Sequence, residues 1–240
     1  MKKKSVTPEF SRRSLIKYGG GMIGTSLIAT VLGSGVIRPE LGMSQTDLTP
    51  DEALEKLMQG NRRFVKRKQE NPNQTTVNLQ QVASGQTPFA AVLSCADSRV
   101  PIEILFDRGF GDIFVVRDAG NIASESAIGS LEFGTLVLGA RVLMVIGHQD
   151  CGAVISTMNG AEVPGQIGVI LDQIKPAIAN YLGQGDDQTA IRNATEANIL
   201  YQINLLNQSP VISQLQADNK LQIVGGYSDF ETGEILLVSE

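Results

Sequence analysis

Phe89-Ala90-Ala91-Val92-Leu93-Ser94 is a short apolar run closed by a polar residue, and two runs of the same kind follow it: Ile113-Phe114-Val115-Val116 and Val142-Leu143-Met144-Val145-Ile146. Near-continuous apolar runs of this length mark strands buried on both faces, as in a parallel sheet. Between the second and third runs, residues 124–138 read as a helix ended by Gly139. Residues 165–182 and 189–206 read as further helices. Leu221-Gln222-Ile223-Val224-Gly225-Gly226-Tyr227 and Ile235-Leu236-Leu237-Val238 read as strands, with Glu231-Thr232-Gly233-Glu234 as the turn between them. Strands alternating with helices predict an α/β fold with a mostly parallel β-sheet covered by helices on both faces.

Upstream of the first run, Thr49-Pro50-Asp51-Glu52 predicts a helix start. Thr49 is a capping residue, Pro50 suits the first helical position, and Glu52 stands where a capping box needs it. Ala53, Leu54, Leu57, Phe64 and Val65 then supply an amphipathic stripe to about residue 68. Residues 69–86 are polar and read as a loop or broken helix. The full length of 240 residues allows one large domain or two small ones, with a sizeable core.

Charge is unevenly spread. Residues 1–43 hold seven basic and two acidic side chains, a balance of +5, which leaves −10 on residues 44–240. An acidic body argues against nucleic acid or an anionic membrane as partner. In the basic start, Ser11-Arg12-Arg13-Ser14-Leu15-Ile16-Lys17 resembles a twin-arginine export signal, and an uncharged, glycine-rich stretch follows over residues 18–37. A single membrane-spanning helix is the competing reading, because twenty uncharged residues are just long enough. Cleavage near residues 42–44 and retention as an anchor both remain open. The expected organisation is a signal segment, 1–43, and a single catalytic domain, 44–240. The export resemblance implies a protein folded and loaded with any metal before transport. It implies a final place in the periplasm, with a thylakoid lumen or a membrane-anchored state as alternatives.

The composition limits the chemistry. Hydrophobic residues are 42% and charged residues 19%, which excludes wholesale disorder. There are one histidine, two cysteines and no tryptophan. Two cysteines exclude a disulfide-dense scaffold and a four-cysteine or Cys₂His₂ zinc module. A single histidine cannot be both a metal ligand and a separate base.

Those three residues fall at the ends of expected strands. Cys95 follows the first run, and His148 and Cys151 follow the third. Sites in open parallel sheets lie at the carboxyl ends of strands, so two neighbouring strands would bring all three together. Two thiolates and an imidazole form a zinc set, and three protein ligands with a fourth position left over is the catalytic pattern. Buried apolar cysteines, a disulfide and a structural histidine are the plainer readings. Their joint placement at strand ends favours the metal. Around the first cysteine the chain reads Cys95-Ala96-Asp97-Ser98-Arg99. Asp97 is placed either to take the fourth metal position or to pair with the Arg99 guanidinium. A freed Asp97 could orient zinc-bound water or hydroxide. A surface Asp–Arg pair of little energetic weight is the bland alternative.

Cys95-x-Asp97-x-Arg99 followed by His148-x-x-Cys151 resembles the β class of carbonic anhydrases. Gly60-Asn61-Arg62-Arg63-Phe64, Val116-Arg117-Asp118-Ala119-Gly120-Asn121, Gly129-Ser130-Leu131-Glu132-Phe133, Gly147-His148-Gln149-Asp150-Cys151-Gly152-Ala153 and Glu231-Thr232-Gly233 resemble that family's blocks in order. The resemblance covers about residues 50–240. It implies reversible, zinc-dependent hydration of CO₂ to bicarbonate and a proton. It implies one Zn²⁺ per chain held by Cys95, His148 and Cys151. Asp97 is then a fourth ligand or a water-orienting acceptor, with Arg99 holding it off the metal. It also implies a homodimer or higher homo-oligomer, with an N-terminal helix reaching across the partner. Nucleic acid is not expected as a partner, and a membrane only through an uncleaved signal. Some bacterial members close the site through a bicarbonate pocket. Where that pocket has Trp this chain has Val92, and where it has Tyr the position is Ser228, although Arg117 matches its Arg. No closure of that kind is expected. Hydrolysis of CS₂ or COS on the same scaffold, and zinc or bicarbonate binding without turnover, are the rival readings.

Overall fold

The computed structural model describes residues 45–239, so the expected export segment lies outside the described residues. Five strands form one sheet in the order β2-β1-β3-β4-β5. They are β1 (Ala90–Ser94), β2 (Ile113–Arg117), β3 (Val142–His148), β4 (Gln222–Ser228) and β5 (Ile235–Val238). β2, β1, β3 and β4 are parallel neighbours, and β5 returns antiparallel to β4. β1 and β3 are central and buried along their whole length. This is why their sequences show no polar alternation. Strand geometry still sends successive side chains to opposite faces. Val92, Val142, Met144 and Ile146 pack into one cluster with Ala53, Leu57, Ile102 and Phe106. Ala91, Leu93, Leu143 and Val145 pack into another with Leu131, Ile199, Leu206 and Ile212.

Eight helices cover the sheet among the described residues: α1 (Pro50–Val65), α2 (Thr76–Gln81), α3 (Ile102–Leu105), α4 (Glu125–Glu132), α5 (Gly152–Met158), α6 (Ile167–Ile174), α7 (Gln188–Asn207) and α8 (Pro210–Ala217). None is long and apolar enough to cross a membrane. α1 starts as its sequence predicts: the Thr49 side chain accepts from the Glu52 backbone, and the Glu52 carboxylate accepts from the Thr49 N–H. It packs on its own sheet through Ala53 and Leu57.

Two segments depart from expectation. The single helix expected over residues 124–138 ends at Glu132 and widens into a π turn, Phe133–Val137. There the Thr135 hydroxyl donates back to the Leu131 carbonyl, which loosens the helical ladder. Gly134 also passes so near the Phe114 ring that a Cβ would stand 2.7 Å from it. The helix expected over 165–182 is α6 followed by a 3₁₀ stretch, Lys175–Tyr181, because Pro176 has no N–H for the ladder. The polar stretch 69–86 contains α2, capped by Thr75.

Asn61 and Asp107 join the parts. Asn61 Nδ2 donates to the Leu105 and Gly233 carbonyls, and its Oδ1 accepts from the Ile235 N–H, so α1 pins the β4–β5 turn. Asp107 is buried and accepts from the Glu70 and Asn71 N–H groups and from Arg63 Nε at 2.6 Å. Burial works to raise its pKa, but the Glu70 amide, the Arg63 guanidinium and the Asn71 amide outweigh it and hold the carboxyl below its ordinary value. A depressed carboxyl stabilises the fold above its unfolded pKa of about 4, and that stability is lost as pH falls through the folded value. Asp107→Asn turns an amide NH₂ towards a donor. It should cost about 2–3 kcal/mol at neutral pH and flatten the acid limb of stability, as read by urea melts between about pH 3 and 7.

Candidate active site

Cys95 directly follows β1, His148 is the last residue of β3, and Cys151 is the residue before α5. β1 and β3 are adjacent and parallel, with Ser94 opposite Ile146, so their carboxyl ends lie side by side. Two backbone features complete the approach. Asp150 has φ +52°, the left-handed turn that brings Cys151 back towards His148. At Gly147 a Cβ would stand 2.9 Å from the side chains of Ile199 and Thr195, so only glycine lets α7 lie this close behind the histidine. The result places Cys95 Sγ, a His148 ring nitrogen and Cys151 Sγ within 4.8 Å of one another. All three residues are buried, among Ile122, Val154, Met158 and Ile174.

His148 and Cys95 are each oriented by a hydrogen bond. His148 Nδ1–H donates to the Gln149 carbonyl at 2.8 Å, which leaves Nε2 as a bare lone pair. Nε2 is buried and has no hydrogen-bond partner. A buried acceptor left so is costly unless a cation meets it. Cys95 Sγ accepts from the Gly120 N–H at 3.3 Å. Gly120 is itself held by a buried chain from α7. Its carbonyl accepts from Asn198 Nδ2, Asn198 Oδ1 accepts from Gln202 Nε2, and Gln202 Oε1 accepts from the Ala123 N–H, all at 2.8–2.9 Å. The thiols titrate as a pair. The Cys151 hydrogen bond, helped by the Asp97 and Gly120 backbone N–H groups, pulls Cys95 down to about 4 against its burial. Cys151, the partner in that bond and buried beside a thiolate, is pushed well above its ordinary value. Two thiolates and a neutral imidazole would balance one divalent cation. A soft donor set with an orphaned nitrogen fits zinc.

Asp97 and Arg99 lie on the loop after Cys95. Arg99 grips the carboxylate with both arms of its fork, Nε to Oδ1 at 2.9 Å and Nη2 to Oδ2 at 2.8 Å, and its backbone N–H adds a third bond. That grip, above all, holds the Asp97 carboxyl well below the usual carboxylate range. Asp97 Oδ2 stands 3.8 Å from His148 Nε2, outside hydrogen-bond range. Arg117 fixes the same loop by donating to the Cys95 carbonyl at 3.1 Å and the Asp97 carbonyl at 2.5 Å. Val92 faces the α1 side of the sheet, in the cluster with Ile102 and Phe106. Ser228 pairs with His148 across β3 and β4, buried and with Oγ unpartnered.

Residues 90–235 match the family model for carbonic anhydrase. The chain belongs to the carbonic anhydrase family. Carbonic anhydrase 2 of Mycobacterium tuberculosis is 33% identical over 193 residues, which cover 78% of this chain and 92% of that protein. The carbonic anhydrase of Mycolicibacterium smegmatis is 40% identical over 133 residues, 54% of this chain and 65% of that one. A tetrameric β-carbonic anhydrase of the fungus Sordaria macrospora superposes with a TM-score of 0.64 at 21% identity, over 78% of this chain and 97% of its own. That likeness is one of fold, and it makes this the β-carbonic-anhydrase fold. The family match runs from the first residue of β1 to the first of β5, so it takes in the three donors, Asp97 and Arg99.

The sequence reading passed over the supports. Asn198 and Gln202 left a trace, two amides four residues apart on the buried face of α7. The Gly120 backbone left a weaker one. It has φ +70°, and a Cβ there would stand 2.5 Å from Ile174 Cδ1. Gly120→Ala should destabilise by about 1–3 kcal/mol and disturb the N–H that faces Cys95. Urea melts and metal content of the purified variant check this.

Proposed function

We propose that this chain is a zinc-dependent carbonate dehydratase, interconverting CO₂ and water with bicarbonate and a proton. The observation that carries the reading is the buried Cys95–His148–Cys151 cluster beside an Asp97 carboxylate turned to Arg99. Cys95, His148 and Cys151 would hold the metal. When bound there, zinc would supply a Lewis acid that lowers the pKa of a coordinated water to about 7. Asp97 is the acceptor that orients the attacking water. Its low basicity keeps it ionised, and Arg99 keeps it in place. Net chemistry forms one C–O bond on CO₂ and releases one proton. His148 has both ring nitrogens engaged in this scheme, and the chain has no second histidine. Proton release therefore uses water chains, buffer or an acidic group.

The tetrameric state of the Sordaria macrospora relative supports a homo-oligomer here. The Arg12-Arg13 pair and the uncharged stretch after it support export by the twin-arginine route to the periplasm. Two thiolates held by zinc through transport would be protected from disulfide chemistry.

Stopped-flow hydration of CO₂ by zinc-replete protein tests the main reading, and a rate no higher than buffer alone rejects it. Asp97→Ala should keep one zinc per chain and lose activity by about 10²-fold or more, as loss of a positioned proton acceptor does. Full activity would remove Asp97 from the mechanism. Cys151→Ser should fail to retain zinc after dialysis at neutral pH. Turnover should also rise with external buffer concentration, measured from about 5 to 100 mM at fixed ionic strength. Independence of buffer would mean an internal proton path.

A further inference from the structure

We propose that Phe230 is a positioning residue of this site, holding the Arg99 guanidinium over its ring face and bracing the His148 imidazole by stacking. The assignment rests on the Asp97–Arg99 reading above. The Arg99 guanidinium lies 4.5 Å from the centre of the Phe230 ring, and the imidazole stacks on that ring at 5.2 Å with 25° between the planes. One side chain thus touches both a metal-ligand candidate and the arginine that controls Asp97.

The ring is delivered by a stiff turn. Asp229 Oδ1 accepts from the Glu231 N–H, the Thr232 N–H and the Thr232 hydroxyl, all within 2.9 Å. The Gly233 N–H closes the turn on the Asp229 carbonyl, and Asn61 ties down the Gly233 carbonyl. The Phe230 N–H donates to Gln149 Oε1 at 3.0 Å. Gln149 is also the residue whose carbonyl takes the His148 Nδ1–H. Gln149 therefore registers the turn and the imidazole against each other, and Phe230 extends that register to Arg99.

Arg99 needs such a brace. Among the described residues its guanidinium hydrogen-bonds to Asp97 alone, and its side chain is 53% exposed. Arg99 and Phe230 line a surface hollow of about 410 Å³ that also holds Arg67 and Glu231. A guanidinium released from the ring has room there, and a second carboxylate to pair with. Asp97 would then lose the fork that turns it away from the three-donor cluster. A cation over an aromatic face is the interaction that opposes this, and it needs the π-face rather than apolar bulk.

The test uses zinc-replete Phe230→Leu, which keeps apolar bulk, and Phe230→Tyr, which keeps the ring face. Phe230→Leu should lower kcat and kcat/KM together by about tenfold with KM unchanged, because part of the enzyme is withdrawn from use. Phe230→Tyr should stay within about twofold of wild type. With Co²⁺ in place of zinc, solvent access to the metal, read as water-proton relaxivity, should fall in Phe230→Leu and not in Phe230→Tyr. In an Arg99→Gln background, Phe230→Leu should add less than it costs in the wild type, since the Arg99 contact is already gone and only the His148 stacking remains to be lost. Wild-type kinetics and relaxivity in Phe230→Leu would overturn the assignment. So would equal damage in Phe230→Tyr, or losses that multiply in the Arg99→Gln background. Should Phe230→Leu not fold, Phe230→Met carries the same expectations. A wild-type protein inactive on CO₂ would reject the proposed function, whereas relaxivity still reads the Phe230 contact by itself.

Discussion

Two thiols and an imidazole brought within 4.8 Å inside an apolar wall set the terms for the rest of this molecule. Left alone, the cluster is costly. It has a bare ring nitrogen without a partner, and a second thiol pushed away from ionisation by the first. A divalent cation removes both difficulties at once. The fold spends its central strand pairing on this contact: adjacent, parallel β1 and β3 place Cys95 and His148 side by side at their carboxyl ends. Moving β1 by one residue against β3 would turn Val92 and Leu93 to the wrong faces. The apolar core and the donor cluster therefore enforce the same register.

Two sets of contacts fix the cluster from opposite sides of the sheet. From α7, Gln202 and Asn198 hold the Gly120 peptide, whose N–H faces Cys95 Sγ. From the β4–β5 turn, Gln149 and Phe230 fix the His148 ring. Every polar atom in the α7 chain is paired, which makes it a rigid support rather than a strain.

Much of this was legible in the sequence because its causes are local. The three apolar runs became β1, β2 and β3, and Thr49 and Glu52 formed the expected capping box. That Cys95, His148 and Cys151 come together was legible because they follow two apolar runs, which became the adjacent strands β1 and β3. The parts that escaped depend on distant partners. Past Glu132 the helix widens into a π turn, and the ring of Phe114, from β2, comes so close to Gly134 that only glycine fits there. α5 is seven residues long and starts at a turn whose left-handed Asp150 has no strong sequence mark. Phe230 is one apolar residue in a polar turn, and nothing near it in sequence says that a histidine and an arginine come to its face. Supports of this kind are set by tertiary packing and become visible only when the elements are assembled.

The site is also divided by stiffness. Cys95, His148 and Cys151 are buried at strand ends or at the mouth of a helix, where local opening would need the sheet itself to part. Asp97 and Arg99 sit on a loop, at 21% and 53% side-chain exposure, and hold each other. A metal seat gains from rigidity, because its donors must stay deprotonated and aligned. Asp97 is held differently, by the Arg99 fork on a partly exposed loop rather than by burial in the sheet. Arg117 clamps the carbonyls of Cys95 and Asp97 while leaving the Asp97 side chain free of its own grip. The backbone of the loop is thus fixed to the metal seat, and the freedom that remains is concentrated in the Asp97 and Arg99 side chains.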